Sequence, residues 1–229
     1  SHKTAGNPQQ KNSAASARCH LQFVNYCIFS IASKTAFFNH PENGNQEEKI
    51  MKIVVLTGSP HKNGTSALLA DRWIQGAREA GHEVFRFDAA FETVHPCIGC
   101  DACGCGTHPC VFQDGMTKLY PELEKADMVV FVTPLYYHAM SAQLKAAVDR
   151  FHGIDDKIRG TAKKAQLIVT AASREERIMN GVVGSYRETL HYLKWQDMGT
   201  LLAYGCYTRE AIEKTDYPEQ AYEMGKAVR

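Results

Sequence analysis

Five short apolar runs recur along the chain, each separated from the next by enough residues for a helix. The first, KIVVLT at residues 52–57, is continuous and rich in β-branched side chains. That is the pattern of a strand buried on both faces. EVFRFD at 83–88 alternates as a second strand, and MVVFVT at 128–133 is apolar throughout and runs into Pro134, which reads as its stop. AQLIVTAA at 165–172 and GTLLAYGCY at 199–207 complete the set. Between them the period changes. A helix opens near Thr65 or Ser66, either able to cap it, with Leu69, Trp73, Ala77 and Ala80 at helical spacing and Gly81 placed to end it. A short helix is expected over 116–125. A helix over 140–151 puts Leu144, Ala147, Val148 and Phe151 on one face, and a longer one buries Ile178, Val182, Tyr186, Leu190 and Leu193. The tail from Pro218 reads as helical. There is no internal repeat.

Strands that alternate with helices pair in parallel, with helices on both faces. The expected fold is therefore α/β: a doubly wound five-stranded parallel sheet in the order 2-1-3-4-5. Ligands of such sheets bind beyond the carboxyl ends of the strands, where the winding direction reverses. Here that edge carries the loops after strands one, three and four.

The first 50 residues do not share this pattern. They contain no Asp and are rich in Asn, Gln and Ser. The apolar patch at 21–32, with Lys11 and Arg18 ahead of it, has the length of a signal-peptide core. The preferred reading is different: native translation starts at Met51, where the first strand begins. Residues 1–50 are then a non-native or disordered extension and 51–229 the functional domain. NQEEKIM fits a translated purine-rich ribosome-binding site, and Ser1-His2 a cloning scar.

Composition narrows the function classes. Apolar residues at 44% and charged residues at 22% suit a soluble globular chain. The net charge is +1, and residues 51–229 carry 21 basic and 22 acidic residues. A broad electrostatic footprint for nucleic acid is not expected. No stretch approaches the roughly 20 apolar residues of a membrane span. Without a convincing export signal the expected location is cytoplasmic. Five of the eight cysteines crowd into residues 97–110, which points to metal or redox chemistry rather than a disulfide scaffold.

The loop TGSPHKNGTSALLA at 57–70 lies at the switch point and leads into a helix N-terminus. It lacks the paired glycines of a dinucleotide loop and the Gly-Lys-Ser/Thr ending of a triphosphate loop. Free N–H groups and the helix dipole favour an anion there. Ser59, Asn63, Thr65 and Ser66 add donors, His61 and Lys62 add positive charge, and Gly58 and Gly64 permit tight turns. Hydroxyl donors of this kind suit a monophosphate. A polar, well-capped turn is the plain alternative.

GSPHKNGTSALL, CIGCDAC…PCVFQDGM and TPLYYHAMSAQLKAAVDR, in this order, resemble the flavodoxin-like NAD(P)H-dependent FMN reductases, and within them the iron–sulfur flavoproteins. The resemblance covers 51–207. It implies a flavodoxin-like fold in which the first loop wraps the FMN phosphate through Ser59, His61, Asn63, Thr65 and Ser66. His61 stands where the family often has Arg, which makes phosphate attraction depend more on pH. Pro134, Leu135, Tyr136, Tyr137, His138 and Met140 match the segment laid along the ribityl chain and ring, and Ser173 approaches the flavin after strand four. Tyr136 and Tyr137 offer aromatic faces to a flat ring; the alternative is that they fill a helix–sheet seam. Lys145, Asp149 and Arg150 read as packing or subunit-contact residues. No side chain is an obvious general acid or base, with Tyr137 and His138 the nearest suspects.

Cys97, Cys100 and Cys103 are spaced C-x₂-C-x₂-C, with Cys110 beyond and Cys105 extra. Three thiolates at that pitch can wrap a [4Fe–4S] cubane with Cys110 as fourth ligand. Structural zinc more often uses two separated pairs. Free thiols, zinc and a redox-active disulfide stay open as alternatives. Gly115 stands where the family has Asp.

The expected function is that of an FMN-dependent oxidoreductase. It would pass electrons from NAD(P)H, or singly through a cluster, to a quinone, nitro compound or other small acceptor. A flavodoxin-like electron carrier with ferredoxin-type partners is the first alternative, and a zinc-bearing interaction or redox-sensing module the second. The family resemblance implies a homodimer or homotetramer.

Overall fold

The computed structural model describes residues 49–229. The expectations for residues 1–48 lie outside the described residues. Strand β1 (Lys52–Thr57) is followed by α1 (Thr65–Glu79), β2 (Glu83–Asp88), α2 (Met116–Lys125) and β3 (Met128–Pro134). Then come α3 (Ala142–Asp149), a single turn α4 (Asp155–Ile158), β4 (Lys164–Thr170), α5 (Asn180–Leu193), β5 (Gln196–Ala203), α6 (Arg209–Glu213) and α7 (Tyr217–Lys226). The five strands form one sheet in the order β2-β1-β3-β4-β5, every neighbour parallel. The expected flavodoxin-like topology is the observed one.

Period-two alternation within each buried strand sends side chains to two cores. Val54, Leu56, Val129, Phe131, Leu167 and Val169 face one side, with Leu119 and Leu123 of α2, Leu144 of α3 and Tyr186 of α5. Ile53, Val55, Val130, Val132 and Ile168 face the other, with Leu69 and Trp73 of α1 and Ala221 of α7. Each large apolar side chain so buried contributes about 1.5–3 kcal/mol. The Trp73 indole N–H is satisfied inside by Gln166 Oε1 at 2.8 Å.

Several boundaries differ from the sequence reading. Pro134 is the last residue of β3, opposite Thr170, rather than a residue beyond it; a strand's end tolerates a missing N–H. Helix α3 starts at Ala142, not residue 140, because Ser141 caps it, its hydroxyl accepting from Leu144 N at 3.4 Å. Phe151 lies past it, in a 3₁₀ segment, Arg150–Ile154. Strand β4 ends at Thr170, two residues early. Strand β5 starts at Gln196 and ends at Ala203. Its polar exposed start hid it from a search for apolar runs, and a bulge sits inside it. Ala165 pairs with Asp197 but Leu167 with Thr200, so β5 has one extra residue there, and Gly199 takes a φ of 108°. The apolar GCY after it bends away through Gly205, φ 70°. Helices α4 and α6 had no signal of their own length.

Helices α1 and α7 touch backbone to backbone. A Cβ on Gly225 would lie 2.1 Å from the Trp73 carbonyl oxygen, and one on Gly76 would lie 2.1 Å from that of Tyr222. Neither backbone can yield without separating the helices. Gly225→Ala is therefore expected to lower unfolding free energy by about 1–3 kcal/mol. Gly184→Ala, in α5 with open space around it, should instead stabilise by about 0.5–1 kcal/mol. Denaturant titration of both variants checks the pair, and equal effects would contradict this packing.

Candidate functional site

The loop after β1 turns tightly. Gly64 N–H donates to His61 O at 3.1 Å, and His61 N–H donates to Ser59 Oγ at 3.1 Å. The cap of α1 is Gly64, not Thr65 or Ser66 as expected, and no side chain accepts from the first turn. An extended glycine cap leaves the Thr65 and Ser66 hydroxyls inside the helix and unspent on capping. The first N–H groups of a helix have no intrahelical acceptor, and here no side chain replaces one. Thr65 Oγ1 reaches across the sheet edge to Thr170 Oγ1, the end of β4, at 3.1 Å. Ser66 is 2% exposed, and its hydroxyl is buried with no hydrogen-bond partner. An orphaned buried hydroxyl costs roughly 1–3 kcal/mol unless something accepts from it. A phosphoryl oxygen is such an acceptor.

The loop after β3 is bound to the loop after β1 by Ser141. Its hydroxyl donates to Gly58 O at 2.7 Å, and its N–H donates to Thr133 Oγ1 at 2.9 Å. Only glycine fits at position 58: a Cβ would stand 2.3 Å from Ser141 Oγ and 2.6 Å from Leu144 Cβ. Between Thr133 and Ser141 the chain makes a two-residue turn, Tyr136 N–H to Ala139 O and Ala139 N–H to Tyr136 O both at 3.0 Å. Tyr137 and His138 sit at its corners with φ of 48° and 64°. Two non-glycine residues in the left-handed region carry strain.

The structure thus brings Ser59, His61, Asn63, Thr65 and Ser66 to one loop and Pro134, Leu135, Tyr136, Tyr137 and His138 to the adjoining one. Tyr137 is fully exposed and Tyr136 is 43% exposed. Neither fills a helix–sheet seam. Met140 is buried in the core beneath the turn, so its side chain supports the segment from below. His138 Nδ1 lies 3.1 Å from Ile178 O. Facing a carbonyl, Nδ1 carries the proton and the ring is turned toward the start of α5, away from the phosphate loop. Ser173 lies past β4, exposed, its hydroxyl accepting from Glu175 N at 3.1 Å. Two cavities of about 430 and 450 Å³ lie elsewhere, on the α1–β2 surface and beneath the cysteine loop. The phosphate loop itself is an open cradle.

The cysteine segment follows β2 and is clasped at both ends by Arg150, which the sequence reading took as a packing or subunit-contact residue. Arg150 and Asp114 are buried to 1% and 2% side-chain exposure and meet at 2.8 Å. Arg150 Nη1 also donates to His95 O at 2.9 Å, while Asp114 accepts from His95 N at 2.9 Å and Met116 N at 3.0 Å. The Phe112 ring lies 5.2 Å from the guanidinium carbon and stacks on His95 at 4.9 Å. Gly115 makes the exit tight: its N–H donates to Thr93 O at 2.7 Å, and a Cβ would stand 2.9 Å from that oxygen. An acidic residue directly after a cysteine run, matched by an arginine closing an amphipathic helix, was the available signal.

Within the clasp the backbone is irregular, with positive φ at Gly99, Asp101, Gly104, Cys105 and Gly106. Cys97 and Cys100 are exposed, Cys110 is half-buried and Cys103 is buried. Burial pushes the Cys103 thiol up, the Cys105 backbone pulls it down, and charge at Cys110 and Cys97 adds to the rise. Donor chemistry suits a metal or cluster. Yet among the described residues no three His, Cys, Asp or Glu side chains converge as a metal site. The thiols do not form a closed ligand set in this arrangement.

An open five-stranded parallel sheet in this order, with a hydroxyl-lined turn at its switch point, defines a flavodoxin-like domain. A model of the NADPH-dependent FMN reductase family matches residues 51–208, and the chain belongs to that family. An iron-sulfur flavoprotein of Archaeoglobus fulgidus is 27% identical over 141 residues, 59% of this chain and 64% of that protein. Another, from Methanosarcina thermophila, is 34% identical over 100 residues, 44% of this chain and 52% of that one. The chain spans less than two thirds of the length of these curated relatives. Among solved structures, an NAD(P)H:quinone oxidoreductase from Methanothermobacter marburgensis aligns with a TM-score of 0.60 at 18% identity, over 78% of this chain and 96% of that one. An azoreductase from Bacillus anthracis str. Sterne gives 0.59 at 17%, over 78% and 100%. At those identities the likeness is one of fold. Among the described residues no helix is long and apolar enough to cross a membrane.

The clasp has a pH signature. Burial alone would raise the Asp114 carboxyl, but the Arg150 guanidinium and the His95 and Met116 N–H groups outweigh it, and the net shift is downward. A carboxylate lowered on folding stabilises above its ordinary range, about pH 4, and that stabilisation is lost as pH falls below it. Asp114→Asn leaves Arg150 buried without its counter-charge and should cost about 3–5 kcal/mol at neutral pH. Its stability should fall less than the wild type's between about pH 5 and 3. Parallel denaturation curves across that range would refute the assignment.

Proposed function

We propose that this chain is an FMN-dependent oxidoreductase that takes electrons from NAD(P)H and passes them to a small acceptor such as a quinone or nitro compound. The observation that carries the reading is the buried, unpartnered Ser66 hydroxyl in the uncapped first turn of α1. Ser66 and the N–H groups of that turn would hold the terminal phosphate, with Ser59, Asn63 and Thr65 around it. Gly58 lets the chain pass close beneath, and the turn at Tyr136 and Tyr137 supplies a flat apolar face beside the cradle. When bound, the flavin supplies the redox chemistry, accepting an electron pair and releasing it as a pair or singly. The protein's part is to position, exclude water and tune polarity. Tyr136 and Tyr137, exposed as they stand, are covered in this reading by the neighbouring subunit of a homodimer or homotetramer.

A second reading concerns the cysteines. Their C-x₂-C-x₂-C spacing favours an iron–sulfur cluster on Cys97, Cys100, Cys103 and Cys110. The name of the Archaeoglobus and Methanosarcina relatives, iron-sulfur flavoprotein, is consistent with it. Iron and acid-labile sulfide assayed on anaerobically purified protein test it directly; absence of both would remove it.

The flavin reading is tested by titration of apoprotein with FMN and with riboflavin, which lacks the phosphate. The wild type should prefer FMN, and Ser66→Ala should weaken FMN about tenfold while leaving riboflavin unchanged. NADH or NADPH oxidation should follow on adding a quinone. Equal affinity of the wild type for the two flavins would end the reading; preference for FMN without turnover would make the chain a carrier.

A further inference from the structure

Among the described residues, the cradle contains hydroxyls and amides, and no cation of its own is fixed over it. A flavin phosphate carries close to two negative charges at neutral pH, and neutral donors leave most of that charge unbalanced. Lys62, on the loop, is committed elsewhere: its ammonium lies 5.1 Å from the centroid of the Phe91 ring, on the β2 side. His61 is exposed, and its backbone rather than its ring makes the turn. The cation that reaches the loop comes from the far edge of the sheet. Arg209, the first residue of α6, places Nη1 3.5 Å from the Asn63 carbonyl oxygen. Its Nε is bound to Glu213 Oε1 at 2.7 Å. The start of α6 is itself fixed, the Thr208 hydroxyl accepting from Ala211 N at 3.2 Å.

An arginine presents a planar fork of donors that suits phosphate. Glu213 occupies the Nε side of this fork. The other side faces the loop, touching it through a long contact to a neutral carbonyl. At 3.5 Å that bond is weak and readily exchanged for a charged acceptor. The side chain is about one-third exposed, so it can shift without repacking the core.

We infer that Arg209 is the charge partner of the cofactor phosphate, held over the β1 loop by Glu213 and exchanging the Asn63 carbonyl for a phosphoryl oxygen on binding. This rests on the flavin reading above. It makes the segment after β5 part of the site and Arg209 the residue that selects a phosphorylated flavin. Glu213 is a positioning residue.

FMN and riboflavin are titrated against wild-type, Arg209→Met and Arg209→Lys apoprotein by fluorescence quenching at low and high salt. Arg209→Met should weaken FMN about ten- to hundredfold and leave riboflavin unchanged. Arg209→Lys should recover part of the loss, keeping charge but not the fork. Added salt should erode the wild type's FMN preference more than that of Arg209→Met. The inference is overturned if Arg209→Met binds FMN as the wild type does, or if both flavins weaken equally, which would make the residue structural. Because the comparison is made within each variant, partial unfolding cannot imitate the expected result. A wild type with no FMN preference would instead remove the flavin reading and this inference with it.

Discussion

One buried hydroxyl holds the candidate site together. Ser141 is wholly buried and makes four hydrogen bonds: its hydroxyl donates to the Gly58 carbonyl and accepts from Leu144 N–H, its own N–H donates to the Thr133 hydroxyl, and its carbonyl accepts from Lys145 N–H. A polar group in that position is tolerable only when fully satisfied. Its partners are therefore fixed as firmly as it is. Gly58 opens the phosphate loop, Thr133 closes β3, and Leu144 lies in the first turn of α3. Two loops 83 residues apart in sequence thereby share one anchor, and the geometry of each depends on the other. The strain at Tyr137 and His138 is sustained by the same anchor. Ser141 and Thr133 close the base of the turn, while His138 docks on the Ile178 carbonyl and Gly181 leaves room for its backbone.

The cysteine segment is organised on the opposite principle. Its largest apolar side chains between Cys97 and Val111, Ile98 and Val111, are both exposed, and Cys103 is the one cysteine there that is buried, so it builds no core of its own. Its shape is imposed from outside, by an ion pair buried against the protein body. Such a pair is a weak source of net stability, because desolvation offsets its attraction, but removing one partner is costly. What it supplies is location. It fixes both ends of the segment and leaves the middle to glycines and left-handed residues, an arrangement able to reshape around whatever the thiols bind.

Periodicity made the sheet legible because burial on both faces writes a continuous apolar run, and topology followed from the alternation with helices. The tight turn after β1 was legible because glycine, serine and threonine crowd ahead of a helix there. What escaped was set by pairing rather than by pattern. The polar start of β5, Gln196 to Gly199, is strand because β4 templates it through a bulge. The Gly64 cap reverses the expected use of Thr65 and Ser66: an extended glycine takes the cap, and Thr65 spends its hydroxyl on Thr170 at the end of β4 instead. Arg150, Ser141 and Arg209 act across gaps of 36, 83 and 146 residues. No local window holds both members of such a pair.

These long-range ties also explain how a phosphate cradle and a cysteine loop come to share one sheet edge. Thr57 donates its hydroxyl to Asp88 at 2.5 Å, and Ala89 N–H donates to Thr57 O at 2.9 Å, so the ends of β1 and β2 leave the sheet together. Lys62 then crosses from the phosphate loop to the Phe91 ring, on the path that leads from β2 into the cysteines. A cation–π contact at a partly exposed site is worth about 0.5–1 kcal/mol, too little to lock the loops but enough to bias them toward contact. On the other flank Thr65 is tied to β4 and Asn63 to α6. The cradle is therefore the place where restraints from every strand meet.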